Sequence, residues 1–445
     1  MRFREAFAKG DAATKASALV FGLGCAVRGQ LARGLAFLLA EAIYIIYMAS
    51  FGWGYVSMLP SLGKNQQGWV FDEAQGIDVM SAGDNSMLIL LFGVVSLFVA
   101  AAAVYTAAKS VKASYGSQLL AASGKKLPGI ADDLRSLLDK NLHVTMLSIP
   151  VLGVVAFTVL PLVFMILMAF TNFDRFHQPP GNLFTWIGFG NFTDVFWQNP
   201  HWSSTFLRIL GWTMIWAVFA TFTNFFFGMA VALMINKKGI KLKKLWRTVF
   251  VMTIAVPQFV SLMLMSRILH NEGPLNVLLQ QLRLVPGAVH FLTDGTLARV
   301  TVIVVNLWVG IPYTILSTTG ILMNIPAEQY ESAHIDGANV IQEFMHITLP
   351  HMIFVMTPAL ITAFVGNINN FNVIYFLTGG GPNTLDYFQG GKTDLLVTWL
   401  YKLTVNEQNY SLASTIGIMI FFITATLSLI VYNHSGSIKN EEGYQ

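Results

Sequence analysis

The stretch Pro326 to Pro350, PAEQYESAHIDGANVIQEFMHITLP, is a polar island between two long apolar runs, and its reading decides what kind of membrane protein this is. Pro326 suits the first turn of a helix, where its missing N–H would have no partner anyway, and Glu328 and Glu331 complement the positive end of the helix dipole. Asp336-Gly337 marks a break, because glycine takes the left-handed conformation that ends a helix and aspartate can cap the next one. Beyond it Val340, Ile341, Phe344 and Ile347 fall at helical spacing as one apolar stripe, before Leu349-Pro350 closes the segment. Two short helices with an exposed stripe fit either a partner protein or the membrane surface.

The rest of the chain fixes the setting of that island. Its 445 residues are 54% hydrophobic and 11% charged, with mean hydropathy +0.58, too few charges to cover a soluble surface of that size. The composition predicts an all-α polytopic membrane protein. The basic residues behind the net charge of +4 are scattered through loops, which fits membrane orientation rather than nucleic-acid binding. One cysteine, Cys25, excludes an internal disulfide and a cysteine-based metal cluster. Met1 to Lys15 is polar and basic, with no cleavable leader pattern, and is expected to stay inside.

Counting runs of roughly 20 apolar residues gives eight spans, near 34–59, 86–108, 142–170, 205–235, 248–269, 298–323, 351–377 and 412–432. Ala16 to Arg33 reads as an amphipathic helix lying on the inner membrane face. The expected organisation is a cytoplasmic segment 1–33, two N-terminal spans in 34–108, a basic cytoplasmic linker 109–140, a six-helix core 141–435 containing the loop 326–350, and a tail 436–445. With both termini inside, 19 of the 27 Lys and Arg residues fall on the cytoplasmic side, as the positive-inside rule requires. The same count puts the island in the cytoplasm, where its lack of Lys and Arg argues against a lipid-binding patch.

Two spans carry unusual polar or aromatic clusters. Gly366-Asn367-Ile368-Asn369-Asn370-Phe371-Asn372 places Asn367 and Asn370 three apart on one helix face, able to approach one ligand together. Amides in a membrane pair with neighbouring helices or line a cavity, and asparagine can read sugar hydroxyls without adding charge. Trp308-Val309-Gly310-Ile311-Pro312-Tyr313 supplies an aromatic wall, equally suited to helix packing or to stacking on a sugar face. Glu41, inside the first span, is the one candidate for a proton relay, with snorkelling or pairing to a base as the alternative. Gly390-Gly391-Lys392-Thr393 imitates the end of a phosphate loop but lacks the leading glycine, which is Asp386. No catalytic constellation and no metal-ligand spacing is present in the sequence.

Glu331-Ser332-Ala333, Asp336-Gly337-Ala338, Phe344 and Ile347-Thr348-Leu349-Pro350 resemble the EAA signature of the permease subunits of binding-protein-dependent ABC importers. Asn367 to Phe371, Leu377-Thr378-Gly379-Gly380-Gly381-Pro382 and Thr393 to Val397 resemble the MalF-type maltose/maltodextrin permeases, over about Leu142 to Tyr432. The resemblance implies a type I ABC importer permease fold in the inner membrane of a bacterium. It makes the chain a non-catalytic subunit that holds no cofactor, with ATP and Mg bound by a separate ATPase dimer. It implies further partners: a second homologous permease, an extracytoplasmic sugar-binding protein and an oligosaccharide. It assigns ATPase coupling to Glu331, Ala333, Asp336, Gly337 and Phe344, and the sugar site to Val309, Gly310, Tyr313, Asn367 and Asn370. The rival is a proton- or sodium-coupled sugar transporter built on Glu41 and the Asn-rich span, against which stand the scarcity of intramembrane acids and the lack of repeat symmetry.

Overall fold

The computed structural model describes residues 3–73, 76–237 and 239–434, so the expected tail 436–445 lies outside the described residues. Among the described residues seven helices are long and apolar enough to cross a membrane, and a bent pair makes a possible eighth. The chain forms two compact units, Met1–Gly188 and Phe189–Gln445.

The first unit begins with α1 (Phe3–Lys9), α2 (Ala12–Ala16) and α3 (Leu23–Val27), followed by the long α4 (Leu31–Met58). The expected amphipathic helix over 16–33 is not formed. Gly22 and Gly29 turn into the left-handed region and break it, and the short helices pack on the C-terminal half of α5 (Ser86–Ala122). A seam of small polar side chains holds them there: Ser17 Oγ meets Ser114 Oγ at 2.9 Å, and the Gly22 N–H donates to Ser110 Oγ at 2.6 Å. Arg28 donates to both carboxylate oxygens of Asp11 at 2.6 Å. This bond, with the Thr14 N–H, holds the Asp11 carboxyl down at about 2. Asn85 caps α5 by accepting from the Met87 and Leu88 N–H groups, and the helix runs on through 108 to Ala122, into the stretch expected to be a linker. The division between units therefore falls after Gly188 rather than in 109–140.

Between α4 and α5 an antiparallel hairpin, β1 (Gly68–Asp72) and β2 (Ile77–Ser81), qualifies the all-helical expectation. Asp84 closes this loop at its base; the Asn65 and Lys64 N–H groups donate to it and hold its carboxyl below the usual range. The unit continues through α6 (Ile130–Leu138) and α7 (Leu142–Met168). In α7 a wide turn at Val155–Val159 precedes Pro161, with the Leu160 N–H bonded five residues back to Val155 O. Proline has no N–H and crowds the carbonyl four residues back; the wider turn relieves both.

In the second unit a short α8 (Gly190–Thr193) leads to α9 (Pro200–Asn236), capped by Asn199 with Pro200 at its first position. At 37 residues α9 is about 55 Å long and serves as the mast of the unit. Its Ile209 and Ala217 pack with Trp399, Leu403 and Ile416. Trp212, Trp216 and Ala220 pack with Leu262, Val302, Val305 and Val373. Phe225 and Met229 meet Met352 and Met356, and Ala232 and Ile235 meet Ile315.

The expected span 248–269 is not straight. Lys243–Ala255 (α10) and Gln258–Ile268 (α11) meet at 90°, because Pro257 forces Val256 into extended backbone. Next come α12 (Pro274–Gln281), α13 (Gly295–Leu322), whose cap Asp294 accepts from Thr296 and Leu297, and α14 (Ala327–Ile335). Then α15 runs continuously from Val340 to Ile368. Leu349-Pro350 does not end the island, because the wide turn Phe344–Thr348 absorbs the proline just as in α7. The span expected to reach Leu377 stops at Ile368 instead, and α16 (Phe371–Thr378) starts afresh. An apolar helix α17 (Leu396–Val405), read from sequence as loop, and α18 (Tyr410–His434) complete the unit.

Candidate functional site: a coupling loop and a membrane cavity

Of the coupling candidates, Glu331 and Ala333 lie on α14, and Asp336 is the C-cap of that helix rather than the cap of the next. Gly337 follows in the left-handed region at φ +78°. The Ala338 N–H bonds to Ala333 O at 2.9 Å and the Gly337 N–H to His334 O at 3.1 Å, a double closure that only a residue free of Cβ strain makes cheaply. Asn339 caps α15, its side chain accepting from Gln342 while Gln342 returns the bond to the Asn339 N–H. Tyr330 OH meets Thr348 Oγ1 at 2.9 Å and His334 Nδ1 meets Glu343 Oε1 at 2.9 Å, tying the two arms of the bend together.

The expected single apolar stripe is divided. Ile335, Val340 and Ile341 are 86%, 75% and 73% exposed, whereas Phe344 turns inward onto the Phe225, Met229 and Met352 cluster. Phe344 is thus the anchor of the loop and the isoleucines and valine are its outward face. Beside them Ala333, Asp336, Gly337, Gln342 and Glu343 line an open cleft of about 330 Å³.

The sugar candidates gather around Tyr313, which borders two cavities. One, about 280 Å³, lies at the bend of α10 and α11 and is lined by Pro257, Gln258, Ser261, Trp308 and Val309. The other, about 270 Å³, is lined by Thr221, Asn224, Gly310, Thr314, Ser317 and Asn367 among others. No charged side chain lines either cavity among the described residues.

Asn367 and Asn370 do not share a helix face. Asn370 is the cap of α16, accepting from the Val373 N–H at 3.2 Å, and its Nδ2 donates to Asn367 Oδ1 at 3.3 Å across the break. Asn367 Nδ2 donates to Thr221 Oγ1 at 3.0 Å and its backbone carbonyl accepts from Trp216 Nε1 at 3.0 Å. Asn372 Nδ2 reaches Gln258 Oε1 at 3.2 Å. The amide cluster thus caps a helix break and ties it to α9 and α11. Of the two, Asn367 lines a cavity and Asn370 positions it. Sequence reasoning passed over Thr221 and Asn224, whose spacing of three on an otherwise apolar span was the available signal, and Gln258, signalled by the adjacent Pro257.

The remaining sequence candidates have local tasks. Glu41 accepts the Phe21 N–H at 2.7 Å, tying the N-terminal segment to α4. In the false phosphate loop, Gly391 N–H donates to buried Asp394 at 2.7 Å, as do Thr398 Oγ1 at 2.9 Å and Lys402 Nζ at 2.6 Å. Burial pushes the Asp394 carboxyl up, and Lys402 pulls it back. Gly380 must be glycine here, since it lies at φ +81° and a Cβ would collide with Asp394 Oδ1.

Residues 224–435 match the family described as the binding-protein-dependent transport system inner membrane component. The chain is 31% identical over 432 residues to the maltodextrin transport system permease protein MdxF of Bacillus subtilis (strain 168), covering 95% of each chain. It is 32% identical over 361 residues to the galactooligosaccharides transport system permease protein GanP of the same strain, covering 80% of this chain and 85% of that one. Among solved structures, a chain of a bacterial alginate ABC transporter in complex with an alginate pentasaccharide-bound periplasmic protein shares the fold, with TM-score 0.57 at 22% identity, over 69% of this chain and 98% of that one. The chain is a multi-pass membrane protein, and it belongs to the family of inner membrane components of binding-protein-dependent transport systems, the permease subunits of ABC importers.

Proposed function

We propose that this chain is the MalF-type permease subunit of an ATP-driven importer of neutral oligosaccharides of the maltodextrin kind. The observation that carries the substrate class is the uncharged, amide- and hydroxyl-lined space on both sides of Tyr313, which is 56% exposed and free to stack on a sugar. Val309, Gly310, Tyr313 and Asn367 contact the sugar, and Asn370 orients Asn367. The names of MdxF and GanP, both neutral-oligosaccharide permeases, support the same class.

The chain hydrolyses nothing itself. ATP and Mg are held by a separate ATPase dimer, which grips the loop 326–350 through Ile335, Val340, Ile341 and the cleft at Ala333, Asp336 and Gly337, with Glu331 at its edge. One such loop per chain and two ATPases call for a second, homologous permease. A loaded sugar-binding protein docks on the outer face, and both termini lie in the cytoplasm of a bacterium. Closure of the ATPase dimer moves the loop as a unit and rocks the spans around the cavity, giving alternating access. The family and the relatives favour this reading over the rival ion-coupled mechanism.

The test is uptake of labelled maltotriose by proteoliposomes holding the chain and its partners, comparing ATP trapped inside with an imposed proton gradient. Uptake that needs internal ATP and loaded binding protein is expected; uptake by this chain alone on a gradient would overturn the reading. Gly337→Val tests the coupling assignment in the same vesicles. A Cβ there meets open space but not an allowed φ, so the bend and not the packing is perturbed. Uptake should fall at least tenfold with membrane insertion intact.

A further inference from the structure

The cavity that Tyr313 shares with α9 has an unused acceptor. Asn224 stands one turn beyond Thr221 on α9 and lines this cavity, and its Oδ1 is buried without a hydrogen-bond partner. Its position is enforced from the opposite helix: a Cβ on Gly310 would overlap the Asn224 amide, so only glycine at 310 lets the side chain lie where it does. A buried amide oxygen left unpaired is costly, and such an atom in a cavity calls for a ligand that donates to it.

The neighbours sharpen the chemistry. Thr314 Oγ1 donates to Gly310 O at 3.3 Å and Ser317 Oγ to Tyr313 O at 3.2 Å, each spending its only hydrogen on its own helix. Asn367 already donates to Thr221 and accepts from Asn370. Asn224 Nδ2 and the Tyr313 hydroxyl remain as donors beside these lone pairs, so the lining can both give and take hydrogen bonds, which suits a neutral polyol whose every hydroxyl does both.

We propose that Asn224 is a sugar-contacting residue whose Oδ1 accepts a hydrogen bond from one hydroxyl of a neutral oligosaccharide in this cavity. The assignment rests on the proposed function and adds a residue to it. Gly310 is then a positioning residue, setting the Asn224 amide rather than touching sugar alone.

The test uses the complete reconstituted transporter with ATP inside and saturating binding protein loaded with maltotriose or with each of its monodeoxy analogues. For one analogue the wild type should lose about fivefold in uptake rate relative to maltotriose, the ordinary worth of one neutral hydrogen bond. In Asn224→Ala that penalty should vanish, and the variant should transport maltotriose and that analogue alike. Asn224→Leu, close to isosteric and without an acceptor, gives the same reading if the smaller side chain impairs assembly, which size-exclusion chromatography reports. The binding protein's own preference among the analogues is the same with either permease, so it cancels when the wild-type penalty is compared with the variant's. If every analogue keeps its wild-type penalty in both variants, Asn224 only packs and the inference fails alone. If the wild type itself moves no maltotriose with ATP, the proposed function fails first and takes this assignment with it.

Discussion

Lys402→Met should strand a charge inside the loop that precedes α17. Asp394 is fully buried and its carboxylate takes three donors, of which Lys402 Nζ at 2.6 Å brings the positive charge. Methionine keeps the length and apolar stem of lysine, so the loss is mainly electrostatic. Removing one partner of a buried pair costs about 3–5 kcal/mol, more than the Gly391 N–H and the Thr398 hydroxyl can offset. The sign with pH follows from burial, which already pushes the Asp394 carboxyl above the usual 3.8 and does so further without the ammonium. A group raised in the folded state gives its full stability below its unfolded value and loses it as pH rises through the folded one. The variant should therefore be least impaired near pH 4 and worsen toward neutrality, more steeply than the wild type, whose Asp394 is raised less because Lys402 pulls it back. Adding Asp394→Asn, which keeps an acceptor for Gly391, should bring the Lys402→Met protein back to within about 2 kcal/mol of wild type. The assay is the apparent thermal midpoint of the purified protein in detergent across pH, for both single variants and the double. A harmless Lys402→Met, or a double variant no better than the single, would refute the reasoning.

Gly310→Ala forces the Asn224 amide aside and should cost about 1–3 kcal/mol from overpacking; pairing it with Asn224→Ala restores the room and should recover the thermal midpoint. The N-terminal seam should loosen in acid: Asp11, held at about 2 by Arg28, stabilises the segment above about pH 4 and ceases to do so as pH falls toward 2. The effect is modest because Asp11 is half-exposed. Pepsin cleavage within residues 3–33 should rise across that window, and Arg28→Ala should be cleaved readily at its upper end.

The membrane class, the span count and the bend at Gly337 were legible because length, composition and glycine chemistry are local properties. Phe344 was read onto the partner-facing stripe because spacing alone does not say which side of a stripe the core takes; the Phe225 and Met352 cluster decides it. Prolines misled in both directions. Pro350 looked like an end and is bridged by a wide turn, while Pro257 was absorbed into a straight span and in fact marks the 90° bend. The asparagines were read on a continuous helix, yet the side chain of Asn370 caps the next helix, a competition between side chain and backbone that periodicity does not see. Ser110, Ser114 and Ser117 form a stripe at helical spacing, but their partner Ser17 is 97 residues from Ser114 and nothing local names it.

The continuity of α15 makes it a lever. From Val340 at the 326–350 loop to Ile368 beside the cavity it is 29 residues, about 43 Å, helical throughout although Pro350 and Pro358 each leave out one backbone hydrogen bond. A tilt of about 10° around its middle would carry each end roughly 4 Å in opposite directions. The far end holds Asn367, whose 3.0 Å bond to Thr221 cannot survive a shift of that size. The amide that lines the cavity would then have to change partners whenever the loop is driven, so gripping and letting go are geared to one shaft.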